Sequence, residues 1–127
     1  MSDTTTAGIR VQVEANWWEE RSQVEAEQWA FTYTVTITNV GTEDAMLHSR
    51  HWVITDASGH VEEVRGDGVI GKQPVIKPGE TFEYTSWAML RTPFGTMRGE
   101  YFMERNDGRR FEVKIGEFVL TQPNALN

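Results

Sequence analysis

Hydrophobic positions recur along this chain with a period of two. In WAFTYTVTITN, Trp29, Phe31, Tyr33, Val35 and Ile37 fall on one face, and Ala30, Thr32, Thr34, Thr36 and Thr38 fall on the other. Successive strand side chains point to opposite faces, so this alternation predicts a long half-buried strand. Ile9, Val11 and Val13 predict a shorter one. LHSRHWVITD and HVEEVR flank Asp56-Ala57-Ser58-Gly59, a hairpin signal with glycine closing the loop. Lys77-Pro78-Gly79-Glu80 and Thr92-Pro93-Phe94-Gly95 are turns, the first leading into the alternating run TFEYTSW. Beyond the second, Met97, Gly99, Tyr101 and Met103 share a face. Asn106-Asp107-Gly108 then closes a hairpin onto Phe111, Val113 and Ile115, with Phe118 and Leu120 in a last strand after Gly116.

Seven or eight short strands with no helical period among them predict an all-β fold. The pattern suits an antiparallel β-sandwich of immunoglobulin or fibronectin type III size, one domain over residues 9–121. Residues 1–8 and 122–127 read as flexible ends. Residues 16–28, NWWEERSQVEAEQ, suit either a helical turn or an acidic loop.

Composition narrows the function classes. A chain of 127 residues supplies one domain and buries roughly two-thirds of its unfolded surface, enough for a core without staples. Nineteen acids against twelve lysines and arginines give a net charge of −7, which disfavours nucleic acid and anionic membrane as partners. Residues 1–28 hold six acids and two bases, so the charge is concentrated at the start and a local basic patch stays open in the body. With no cysteine there are no disulfides, thiolate metal sites or cysteine nucleophiles. The opening MSDTTTAG lacks a signal-peptide pattern and no apolar run approaches a membrane span, so a cytoplasmic protein without membrane insertion is expected.

Candidate chemistry is sparse. Gly66-Asp67-Gly68-Val69-Ile70-Gly71-Lys72 matches a dinucleotide fingerprint, in which glycines let backbone N–H groups approach a pyrophosphate at a helix N-terminus. Pro74 and Pro78 come next and no helix does. The stretch therefore reads first as a loop whose glycines permit positive φ, and second as an anion-binding nest with Lys72 as counter-charge. His48 and His51 fall on opposite faces of an ideal strand, and His60 lies near the hairpin turn, so no histidine cluster forms. Carboxylates such as Asp67 with Glu62 or Glu63 leave weak Mg²⁺ or Co²⁺ binding open. Ser49, Ser58 and Ser86 lie outside any nucleophile elbow, so no catalytic residue and no cofactor is expected. Arg50 and Trp52 share a strand face, with His51 on the other. Trp52 suits the buried tryptophan of a sandwich, and Arg50 beside it must pair with an acid or reach a strand end. Trp17 and Trp18, in an acidic stretch, either cap the open end of the sandwich or form a binding patch.

Nearly the whole chain, from Val11 to Leu120, resembles the bacterial ApaG family. The resemblance is carried by FTYTVTITNVG, SRHWVITDASG, EVRGDGVIGKQPVIKPGE, TFEYTSWAML, GTMRGEY and DGRRFEVKIGEFVL, in order. Asn16–Glu20 is more acidic and richer in tryptophan than the family pattern, and Gly116 stands where the pattern has proline. The resemblance implies a fibronectin type III-like sandwich associated with Co²⁺ resistance and Mg²⁺ efflux. Related domains in a eukaryotic F-box protein and a polymerase-interacting protein imply an interaction role. The frequent neighbouring gene for a diadenosine tetraphosphate hydrolase makes a nucleotide role for residues 66–71 attractive. The expectation is therefore a non-catalytic module that binds another protein, with Arg50, His51, Gly66, Asp67, Gly68, Gly71 and Lys72 as candidate surface. A homodimer through sandwich edges stays open.

Overall fold

The computed structural model describes residues 1–123. Among the described residues nine strands run in chain order: β1 (Ser2–Thr6), β2 (Ile9–Trp17), β3 (Trp29–Asn39), β4 (Ala45–Asp56), β5 (Val61–Asp67), β6 (Val75–Ile76), β7 (Thr81–Leu90), β8 (Phe94–Glu104) and β9 (Arg110–Thr121). They form two antiparallel sheets, ordered β1-β2-β3-β7 and β5-β4-β8-β9, with the two-residue β6 paired to the start of β4. The sheets stack as a sandwich whose core is the apolar rows legible in the sequence. Phe31, Val35 and Ile37 of β3 are fully buried, as are Leu47, Tyr101, Met103 and Val113 of the facing sheet. Trp52 sits at the centre, with ring centroids of Tyr33, Phe118 and Tyr101 at 5.3, 5.9 and 6.4 Å.

Two bulges keep these rows on one face. Leu47 pairs with Met103 and Ser49 with Phe102, which leaves His48 as an extra residue on β4. Met97 pairs with Phe118 and Gly99 with Ile115, so β9 carries an extra residue around Gly116. Each insertion flips the parity of the residues beyond it. Ile115 and Phe118, three apart, therefore both face inward. The same logic corrects the opposite-face reading of His48 and His51, because the alternation is broken between them.

The N-terminal residues read as flexible instead form the edge strand β1. Ala7 and Gly8 adopt positive φ (50° and 80°) in a two-residue turn, which returns the threonine-rich segment alongside β2. Glycine at 116 lets β1 come close to β9, since a Cβ there would lie 2.5 Å from Thr4 Oγ1. Of residues 16–28, Asn16 and Trp17 end β2, and the stretch that follows holds two single 3₁₀ turns, Glu19–Arg21 and Val24–Ala26. Trp17 donates from Nε1 to Ser22 Oγ at 3.1 Å and packs on the core, so this segment caps the sandwich. Of the tail read as flexible, Gln122 accepts a hydrogen bond from Trp29 Nε1 at 2.9 Å, and residues 124–127 lie outside the described ones.

Candidate functional site

The two long sides of the sandwich differ. On one, β1 and β2 pack along β9. On the other, β5 and β7 each pair with a single neighbour, and their second edges flank an open groove. The groove's central depression, about 440 Å³, is lined by Tyr33, Arg50, Trp52, Val64, Ser86 and Met97. A depression of about 290 Å³ shares Tyr33, Arg50 and Ser86 and continues past Tyr84 to Ile70 and Gly71. A third, about 460 Å³, shares Ile54 and Glu62 and runs to Leu90 and Arg91.

Arg50 is the charged group at the groove's middle. Its parity with Trp52 turns it inward, where its partly buried guanidinium lies over Gly66. A Cβ on Gly66 would be 2.8 Å from Nη2, so glycine makes room for the arginine rather than for a phosphate. Nη1 donates to the carbonyls of Asp67 and Gly68 at 3.0 and 2.8 Å. Among the described residues no carboxylate forms an ion pair with Arg50, and its Nε and Nη2 make no hydrogen bond. Of the two outcomes the sequence left for this arginine, it takes the strand end.

Three tyrosines surround it. Burial pushes the Tyr33 hydroxyl up in pKa, with the Ser86 hydroxyl and the Arg50 charge pulling the other way. Tyr84 and Tyr101 share a hydrogen bond of 2.5 Å, and burial raises both. All three stay neutral at ordinary pH. Tyr33, Tyr84 and Ser86 were missed as site residues by the sequence reading. Alternation marked the tyrosines only as core and had no means of placing β7 beside β5.

The glycine-rich stretch is a tight turn. Ile70 and Gly71 have φ of 45° and 76°, and Val69 and Lys72 exchange N–H···O=C bonds at 2.8 and 2.9 Å. Both central residues at positive φ match the type I′ hairpin turn. The Gly68 N–H donates to His48 O at 2.8 Å. The amides of Gly68, Val69 and Lys72 are thus committed within the fold, leaving those of Ile70 and Gly71 without a backbone acceptor among the described residues.

The remaining candidates lie elsewhere. His51 is buried on the outer face of its sheet, with Nε2 2.8 Å from Glu63 and Nδ1 3.0 Å from Glu100, and so ties β5 and β8 to β4. Glu62, the register partner of inward-facing Ile54, turns into the groove, while Glu63 is held by His51. His48 meets Arg110 at 3.2 Å. Among the described residues no group of three or more His, Asp or Glu side chains is placed to hold a metal ion. Trp18 meets Trp87 edge-on at 6.2 Å, and Arg21 covers the Trp87 ring at 5.7 Å.

The ApaG domain pattern matches residues 19–105, which include Arg50, Gly66–Lys72 and both groove edges. The chain belongs to the ApaG family. It is 55% identical over 119 residues to Protein ApaG of Ralstonia nicotianae, covering 94% of this chain and 96% of that one. Identity to Protein ApaG of Dechloromonas aromatica is 50% over the full length of both chains. A crystal structure of a Bordetella pertussis protein named ApaA superposes with a TM-score of 0.88 at 50% identity, covering 91% of this chain and 94% of that one. The ApaG sandwich is thus shared at high identity, and no helix among the described residues is long and apolar enough to cross a membrane.

Proposed function

We propose that this ApaG-family chain is a non-catalytic module that binds another protein in the groove between β5 and β7. On this reading, the association with Co²⁺ resistance and Mg²⁺ efflux that the resemblance implies runs through that partner. The carrying observation is the asymmetry of the sandwich: one long side is packed shut, while the other presents two strand edges across an apolar floor. Unpaired edges beside an apolar groove are the usual receiving surface for a polypeptide. A photo-crosslinking residue at Val61 or Ile70, both exposed at the groove ends, should give an adduct in cells, and one at exposed Val119 on β9 should not. Ser86→Arg, which fills the groove, should abolish the adduct. An adduct formed equally from Val119, or persisting in folded Ser86→Arg protein, would reject the groove.

An anion-binding reading retains the free amides of Ile70 and Gly71 with Lys72 beside them, a thinner cradle than the motif suggests. Saturable amide shifts confined to residues 69–72 on titration with diadenosine tetraphosphate would favour it over protein binding.

A further inference from the structure

We infer that the groove takes an extended acidic segment of its partner and that Arg50 receives the segment's carboxylate. The inference rests on the protein-binding reading and adds the chemistry of what is bound.

A cation taken partly out of water is costly unless paired, and Arg50 has no acid partner among the described residues. Its two backbone contacts both use Nη1. The unused Nε and Nη2 are the two parallel donors that match a carboxylate fork to fork. The hydroxyl-bearing Tyr33 and Ser86 line the same depression, and Trp52, Val64 and Met97 give it an apolar floor.

The strand edges indicate an extended occupant. β5 carries Glu62, Glu63, Arg65 and Asp67, charges of the kind that blunt an edge against pairing. β7 has no charge from Tyr84 to Leu90, so its edge is open to an added strand. The groove continues past Arg50 in both directions, which suits an internal acidic side chain rather than a chain end. Glu62 fixes the position of that acid. It faces the groove four residues from Gly66, roughly 13 Å along the strand, and repels a second carboxylate there. Two positions from Arg50 towards Glu62 lie Trp52 and Val64, and on its other side Val69 and Ile70, so the preferred segment alternates, with one acid over Arg50 and apolar side chains two residues to either side.

The test uses the intact wild-type protein and the peptide Ac-Thr-Val-Thr-Glu-Thr-Val-Thr-amide, which places Val, Glu and Val on one face in either direction. Its Gln counterpart lacks only the charge. The Glu peptide should bind at least about tenfold more tightly, the value of a charge-assisted over a neutral hydrogen bond. It should also shift the Arg50 Nε–H resonance and the amides of residues 84–90, and the preference should vanish in Arg50→Gln. If that variant fails to fold, the Nε–H shift in wild type decides. Equal binding of both peptides at the groove would overturn acid recognition while leaving the groove reading intact. Tighter binding of Ac-Thr-Val-Thr-Val with a free carboxylate would overturn the internal acid in favour of a chain end. No groove shift with any of the three would overturn both readings.

Discussion

Two glycines test whether a steric clash costs by its distance or by the rigidity of what stands there. A Cβ at Gly99 would lie 2.0 Å from the His51 carbonyl oxygen and 3.2 Å from Trp52 Cα. Gly99 pairs with Trp52 inside the β4–β8 ladder, so both neighbours are backbone at the centre of a sheet. Carbon–oxygen contacts settle at about 3.3 Å, so relief requires parting the strands by more than about 1 Å. Each buried ladder group left unpaired costs about 1–3 kcal/mol, and strained packing around Trp52 adds about 1–3 kcal/mol. Gly99→Ala should therefore destabilise by about 2–6 kcal/mol, a large share of the roughly 5–15 kcal/mol that holds such a domain folded. At Gly66 the contact is also close, 2.8 Å, but it is with the tip of Arg50. The guanidinium can swing away, losing two hydrogen bonds of about 0.5–1.5 kcal/mol net each and regaining about 0.5–1 kcal/mol from alanine's lower chain entropy. Gly66→Ala should cost about 0–2.5 kcal/mol, and by displacing Arg50 it should erase the preference for the Glu peptide. Urea unfolding of both variants and wild type gives the two values. A Gly99→Ala cost no greater than that of Gly66→Ala would refute the argument from rigidity.

The buried tyrosines predict alkaline sensitivity. Burial raises Tyr33, Tyr84 and Tyr101 above the ordinary value of 10.0, so above that pH the unfolded chain releases protons that the folded one keeps. Their stabilisation is fully present below pH 10 and is lost as pH rises from there towards the folded values, by up to about 1.4 kcal/mol per pH unit for each tyrosine. Urea midpoints from pH 9 to 11 should fall accordingly, and more gently in Tyr101→Phe; a flat profile would contradict this. At Gly116, valine should lift β1 off β9 by displacing Thr4, speeding amide exchange in Ser2–Thr6 at least about tenfold while β3 and β8 stay protected. Unchanged exchange in β1 would show that β9 does not hold it.

Much of this architecture is local and therefore written in the chain. The period-two rows of β3, β8 and β9 require a two-sided sheet, because a strand has no other way to bury Phe31, Val35 and Ile37 together. The turns at Asp56–Gly59 and Asn106–Gly108 announce themselves through residues that tolerate the backbone a hairpin needs, and Trp52 was legible as the central tryptophan. Arg50 was also legible as a charge on a buried face. What it does there was not, because its contacts at Asp67 and Gly68 lie 17 and 18 residues away. The glycine fingerprint misleads for the same reason. Gly66 serves an arginine on the neighbouring strand, and Gly71 serves a type I′ turn, neither of which a spacing can distinguish from a phosphate cradle. β1 escaped notice because polar threonines make a strand only when an edge and a glycine opposite are ready for them. Alternation and turn residues along the chain thus determined the longer strands, most of the core rows and the hairpin turns, since these depend on neighbours one to four residues apart. The groove, with β5 and β7 facing one another across Arg50, came only from the stacking of two sheets, an arrangement in which sequence distance carries no information.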